Sequence, residues 1–156
     1  SIDPSHSVRP ATPDEAPAMH ALQMRAFAEE GRLSGDAQIP PLAETAAAIE
    51  WHIRTQTALV ADDDGRIVGA IRAIVEGPIC TLRGVCVEPA RHGRGIGAAL
   101  VRAIEQARPD VQRFELTTNT LVPGNVGFYE RRGYRVDELI RYTGTIVLAR
   151  MSTRLG

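Results

Sequence analysis

The stretch Val85–Ala98, V-C-V-E-P-A-R-H-G-R-G-I-G-A, decides how the rest of the chain is read. Its first three residues are a β-branched run that suits the end of a buried strand. Glu88-Pro89 stops that strand, because proline has no N–H for a ladder and fixes its own φ. A basic, glycine-rich loop follows, Arg91-His92-Gly93-Arg94-Gly95-Ile96-Gly97, and runs into an apolar-periodic segment. Strand, glycine-rich turn and helix together make an anion site. Glycines let backbone N–H groups approach a ligand, and the first N–H groups of a helix have no internal partner. The helix end adds a partial positive charge. The loop is therefore expected to grip a pyrophosphate.

C-terminal to this loop, Ile96, Leu100, Ala103, Ile104 and Ala107 recur at helical spacing. Pro109-Asp110 breaks the chain, and Val111–Thr118 is the next strand, with Phe114, Leu116 and Thr118 alternating. Reached by a helical crossover, it should lie parallel to the strand before the loop. Pro123-Gly124-Asn125 opens a short helix through Phe128 and Tyr129, ended by Gly133 in a left-handed position. Tyr134–Asp137 and Gly144–Ala149 are expected as the last two strands.

N-terminal to the loop, Val8-Arg9-Pro10-Ala11 is a short first strand. Thr12-Pro13-Asp14-Glu15 announces a helix, with Thr12 as N-cap, Pro13 at the first position and Glu15 closing a capping box. Met19, Leu22, Ala26 and Phe27 are its apolar stripe. Residues 31–41 read as loop, broken by Gly31, Gly35 and Pro40-Pro41. A second helix carries Leu42, Ala46, Ile49 and Ile53 on one face. Then come Ala58-Leu59-Val60-Ala61, an Asp64-Gly65 hairpin turn, a strand over Arg66–Val75, a Gly77-Pro78 turn and a third strand over Ile79–Val87. The order is that of an α+β chain.

The 156 residues are read as one domain over 1–156, with residues 1–7 a disordered tail or a remnant of cloning. Apolar content of 44% and charged content of 24% fit a soluble globular protein. A net charge of -1 argues against general nucleic-acid binding. No apolar run approaches the roughly 18 residues of a membrane span. Cys80 and Cys86 are six apart on one strand, which puts them on one face but out of bridging range. They read as small buried hydrophobes in a reducing compartment, so the cytoplasm is expected. His6, His20 and His52 have no metal-ligand spacing, and no metal is expected.

A Rossmann fingerprint would need an acidic residue about 20 positions on and a parallel sheet, and a Walker loop would need Gly-Lys-Ser/Thr. Neither is present. On the residues alone, a purely structural glycine turn remains the other reading of residues 91–97, weighed down by Arg91, His92 and Arg94 in one short loop.

The run V-x-V-x-P-x-x-[basic]-G-x-G-x-G before an amphipathic helix resembles the acyl-CoA pyrophosphate loop of the GNAT superfamily of N-acetyltransferases. Asn125-Val126-Gly127-Phe128-Tyr129-Glu130-Arg131-Arg132-Gly133-Tyr134 resembles that superfamily's N-x-x-[FL]-Y-x-x-x-G-[FY] element. The order of elements over roughly residues 8–150 is similar too. The resemblance implies a central, mostly antiparallel sheet with a parallel pair splayed around the CoA loop, and about four helices. It implies acetyl-CoA as cosubstrate, held by Val85, Cys86, Val87, His92, Gly93, Arg94, Gly95, Ile96, Gly97, Ala98, Asn125 and Tyr129. It implies an amine acceptor attacking the thioester directly. The Val87 N–H would meet the developing oxyanion and the Tyr129 phenol would protonate the leaving thiolate. Two positions depart from the pattern. His92 stands where Arg or Gln is usual, so affinity for CoA is expected to weaken as His92 loses charge above about pH 7. Val122 stands where many members carry Asn.

The residues alone leave Tyr129 open to a second role as a core aromatic beside Phe128. No base is legible: Glu44, Glu76, Glu88 and Glu115 read as solvated charges. Glu44 and Arg72 are the residues expected near the substrate pocket, and Trp51 and His52 either line a pocket or pack. The expected function is transfer of an acetyl group from acetyl-CoA to a primary amine of a small molecule. The alternatives are a non-catalytic acyl-CoA sensor and an acetyltransferase acting on a protein amine. Neither nucleic acid nor membrane is an expected partner, and a homodimer is expected from the resemblance.

Overall fold

A computed structural model describes residues 7–154. The tail expected at 1–7 and His6 therefore lie, Ser7 apart, outside the described residues. Seven strands form one sheet: β1 Ser7–Pro10, β2 Thr57–Asp63, β3 Arg66–Glu76, β4 Ile79–Val87, β5 Arg113–Asn119, β6 Arg135–Thr143 and β7 Ile146–Arg154. Their order is β1-β2-β3-β4-β5-β7-β6. Every neighbouring pair is antiparallel except β4 and β5. Five α-helices are described: α1 Ala16–Ser34, α2 Pro40–Ala43, α3 Ala46–Thr55, α4 Ile96–Ala107 and α5 Asn125–Glu130.

The hairpin of β2 and β3 turns on Asp64 (φ 50) and Gly65 (φ 88), the two left-handed residues that match the twist of the strands. Helix α4 covers one face of the sheet. Ile96, Leu100, Val101 and Ile104 are fully buried along its stripe, against Leu59, Ile71, Phe114 and Met151. Gly69 admits α4 closely, since a Cβ there would stand 2.8 Å from Ile96 Cγ2. The opposite face carries α1 and α3, with Met19, Leu22 and Ile49 over Ala58, Val60, Ala70 and Cys86.

Several sequence expectations are corrected. Gly31 does not end the first helix. It is buried inside α1, where a Cβ would collide with Leu42 Cδ1 at 2.6 Å, so the glycine serves packing and the helix runs to Ser34. Leu42 belongs to the short α2. The second helix begins only after Thr45, whose hydroxyl accepts from the Ala48 N–H at 3.1 Å. The last two strands are much longer than expected. β6 is exposed along nearly its whole length and carries no apolar alternation to mark it.

Cys80 and Cys86 lie on opposite faces of the sheet, in different core clusters. A β-bulge is the cause. Between Ala70↔Cys86 and Arg72↔Arg83, β3 advances two residues and β4 three. One extra residue reverses the alternation of every side chain beyond it.

Candidate active site

β4 and β5 pair over three positions only, Ile79–Thr81 with Arg113–Glu115. Beyond Thr81 the two strands part, and β5 continues to Asn119 paired with β7 alone. The sheet therefore opens along the C-terminal half of β4. The Glu88 N–H donates to the Val68 carbonyl on β3 at 2.8 Å. Successive N–H groups of a strand point to opposite edges. That of Val87 thus faces the opening, with Val85 beside the bulge that interrupts the alternation.

The glycine-rich loop stands at the same end. A 3-10 turn over Pro89–Arg91 leads to Gly93 and Gly95, both at φ 80, and α4 starts at Ile96. His92, Gly93 and Arg94 are exposed, and nothing lies within 4 Å of where a Gly93 Cβ would stand. The N–H groups of Ile96, Gly97 and Ala98 are the first of the helix and have no acceptor within it. This open cradle has the donors to receive an anion. Arg91 is committed elsewhere, since its Nη1 donates to Asp63 Oδ2 at 2.6 Å and ties the loop to the β2–β3 hairpin.

α5 forms the other lip. Gly97 meets Phe128 across it, for a Cβ at Gly97 would stand 3.2 Å from Phe128 Cζ. Arg132 stacks on the same Phe128 ring at 4.1 Å. Tyr129 is 8% exposed, edge-on to Phe128 at 4.9 Å and to Tyr134 at 6.0 Å. Burial raises its phenol above the ordinary value of 10, and the Glu30 carboxylate adds to the rise. Tyr129 is thus a member of the core. Asn125 begins α5, with its amide donating to the Asn119 carbonyl at 3.5 Å. Cys86 is buried in the second cluster, and its thiol is pushed up to about 12 by burial, which makes it inert.

α1 crosses the opening. Near its middle Gln23 accepts from Arg72 on β3 (3.1 Å). In the middle Arg25 grips Glu88 at the end of β4 with two bonds of 2.8 and 3.1 Å. At the far end the Asn119 amide, at the tip of β5, donates to Ser34 Oγ at 2.8 Å and reaches Glu30 Oε2 at 3.5 Å. Burial raises the Glu30 carboxyl from its ordinary value.

The acidic residues read as solvated charges are mostly paired. Glu88 is buried between Arg25 and Arg66. Glu115 pairs with Arg113 at 2.7 Å. Glu44 binds Arg72 through both oxygens, at 2.8 and 2.6 Å. Burial alone would raise the Glu44 carboxyl, but hydrogen bonds from Arg72 and Gln23 outweigh it and hold the group at about 2. Only Glu76 is exposed as expected. Trp51 and His52 diverge, Trp51 to solvent at 58% exposure and His52 into the Arg72 cluster. Among the described residues, no three His, Cys, Asp or Glu come together as a metal site.

The structure therefore brings Val85, Val87, His92–Ala98, Asn125 and Tyr129 to the rim of one opening. It sets Arg72 and Glu44 on the α1/α3 face, beside Cys86. The sequence reading missed Gln23, Glu30 and Asn119. A signal existed for the first two, because both interrupt the apolar stripe of α1 with a polar side chain on its sheet-facing side.

A model of the GNAT acetyltransferase domain matches residues 54–136. The uncharacterized protein YxbD of Bacillus subtilis is 32% identical over 80 residues. That stretch is 50% of this chain and 49% of the relative, so the match spans about half the length of each. Three solved structures are similar in fold. The ribosomal-protein-S18-alanine N-acetyltransferase from Escherichia coli aligns with a TM-score of 0.79 at 16% identity, over 96% of this chain and 93% of its own. The paia N-acetyltransferase from Thermoplasma acidophilum, in complex with coenzyme A, gives 0.77 at 14% over 97% and 99%. The smu.2055 protein from Streptococcus mutans gives 0.80 at 17% over 95% and 98%.

Proposed function

The chain belongs to the GNAT acetyltransferase family, and from that premise we propose that it transfers an acetyl group from acetyl-CoA to a primary amine of a small molecule. Attack is direct, with both substrates bound together. The observation that carries the reading is the opening between β4 and β5, rimmed by strand-edge N–H groups, a glycine-rich helix N-terminus and a buried tyrosine.

Acetyl-CoA supplies an activated thioester. The backbone donors of Gly93, Arg94, Gly95, Ile96, Gly97 and Ala98, with the His92 side chain, bind its pyrophosphate. Val85, Cys86 and Val87 line the pantetheine arm as a strand edge, and Asn125 meets it from α5. The Val87 N–H faces the carbonyl oxygen, where negative charge develops during attack. Tyr129 is held protonated by its burial. It gives its proton to the departing sulfur as the C–S bond breaks and the thiolate gains charge, while the proton lost by the amine passes to bulk water, which in turn reprotonates the phenolate. Glu44 and Arg72 shape the acceptor side from beneath α1, and no metal takes part.

Acetylation of a protein amine is the second reading. It is favoured by the activity named for the Escherichia coli neighbour. Two buried, unbridged cysteines support a cytoplasmic assignment, and a homodimer is expected from the family. The experiment is release of free thiol from acetyl-CoA against amines, polyamines, amino acids, aminoglycosides and an alanine-terminated peptide. Turnover with a small amine is expected, and turnover with the peptide alone favours the second reading. No turnover, together with no rise in thermal midpoint under millimolar CoA or acetyl-CoA, would falsify both.

A further inference from the structure

Arg72 is only 2% exposed, and a buried cation is costly unless it is paired and fully hydrogen-bonded. Three helical segments deliver its partners. Glu44, at the end of α2, takes both terminal nitrogens, and Gln23 on α1 accepts from Nη2 while donating to Glu44 at 2.9 Å. His52 on α3 faces Nη1 through Nδ1 at 2.7 Å. Arginine only donates, so Nδ1 accepts and the imidazole proton is on Nε2. That ring is neutral, for burial and then the Arg72 charge both lower its affinity for a proton.

The guanidinium presses on the backbone of Gly84. A Cβ at Gly84 would stand 2.5 Å from Nη2, 3.0 Å from Nε and 3.1 Å from Cζ, and the residue is left-handed at φ +61. Gly84 is in the bulge of β4, one step before Val85. That bulge settles which N–H groups of β4 turn to β3 and which turn to the opening. A salt bridge serving stability alone has no need of a bare backbone under its cation.

We propose that Arg72 is a positioning residue for acetyl transfer: its guanidinium, fixed by Gln23, Glu44 and His52, clamps the Gly84 bulge and so aims the Val87 N–H group at the acyl carbonyl. The inference rests on the acetyl-CoA reading above. It ties the helices of the acceptor side to the strand edge that meets the thioester, through one side chain.

The test compares the affinities of CoA and acetyl-CoA by calorimetry, since only acetyl-CoA carries the carbonyl. Arg72→Met strands a buried carboxylate, so it is made together with Glu44→Gln. Gly84→Ala keeps every charge and drives a methyl into the guanidinium. The wild type is expected to prefer acetyl-CoA. Both variants should hold CoA within about twofold of wild type, while the preference falls by about two- to tenfold, the worth of one hydrogen bond. Amide exchange at Val87 should quicken in the CoA-bound variants. A merely structural Arg72 would lower the thermal midpoint and leave the preference alone. The clamp is overturned if either variant binds CoA normally and keeps the wild-type preference, or if the wild type shows no preference. A wild type that binds neither ligand instead sinks the acetyl-CoA reading, and the clamp with it.

Discussion

Tyr129 is a core side chain to which we also assign chemistry. Its ring packs in the main cluster, and its phenol is raised by burial above 10. Tyr129→Phe keeps the ring, so stability and CoA affinity should change little while kcat falls by about 10²- to 10⁴-fold. The direction of the shift also means that no alkaline limb from this phenol should enter the rate profile up to about pH 10. A limb near pH 9 that vanishes in Tyr129→Phe would contradict the burial. A second expectation concerns acid. Glu15 is held at about 2, chiefly by its hydrogen bonds from Arg9, and Glu44 at about 2 by the Arg72 cluster, against an ordinary 4.5. Groups depressed on folding stabilise the folded state above their unfolded value, and that stability is lost as pH falls through the folded value. The thermal midpoint should therefore drop between about pH 4.5 and pH 2, and Glu15→Gln should make the drop shallower. At this scale the family resemblance put forward Tyr129 and Val87, while the loop glycines stood out by their own pattern. The sequence did not reveal that Glu88 and Glu44 are buried, because each is bonded to an arginine 22 to 63 positions away.

Among the elements, the loop before α4 was the most legible. Its chemistry is local: a proline stop, left-handed glycines and an apolar period are all contiguous in sequence. Gly93 needs φ 80 but has empty space around its Cα. Gly93→Ala should thus strain the cradle alone, at about 1–2 kcal/mol, weakening CoA severalfold. Normal CoA binding by that variant would mean the loop tolerates another shape. The β4 bulge was illegible, since a single inserted residue leaves no mark on composition and the counting rule for strands carried Cys86 to the wrong face. β6 escaped for the opposite reason. Exposed on both sides, it offers no alternation to find. The start announced by Thr12 and Glu15 is a 3-10 turn over Pro13–Glu15 that leads into α1, and the Glu15 carboxylate accepts the Thr12 N–H at 2.9 Å. The end of α1 was misjudged because Gly31 was read as a breaker when Leu42 required its small size.

For the whole molecule, ligand binding should be visible as stability. A ligand at 100 times its Kd adds about 2.7 kcal/mol to a folded state that alone binds it. For a chain of this size that amounts to a midpoint rise of about 5–10 °C, readable by scanning calorimetry with CoA. The hairpin meander and the parallel pair followed from the order of turns and periods. The number of helices did not, because α2 is a single turn set by Pro40 and by packing against α1.

The three-pair seam between β4 and β5 has a consequence for how the chain comes together. On one side β2, β3 and β4 are joined by tight hairpins, and on the other β6 and β7 by another, and these pairings are between neighbours in sequence. Such local pairings close early and at small entropic cost. The seam joins residues more than thirty apart and is too short to weld the halves by itself. A molecule that bridges the two lips of the cleft would act as the missing rungs of the ladder.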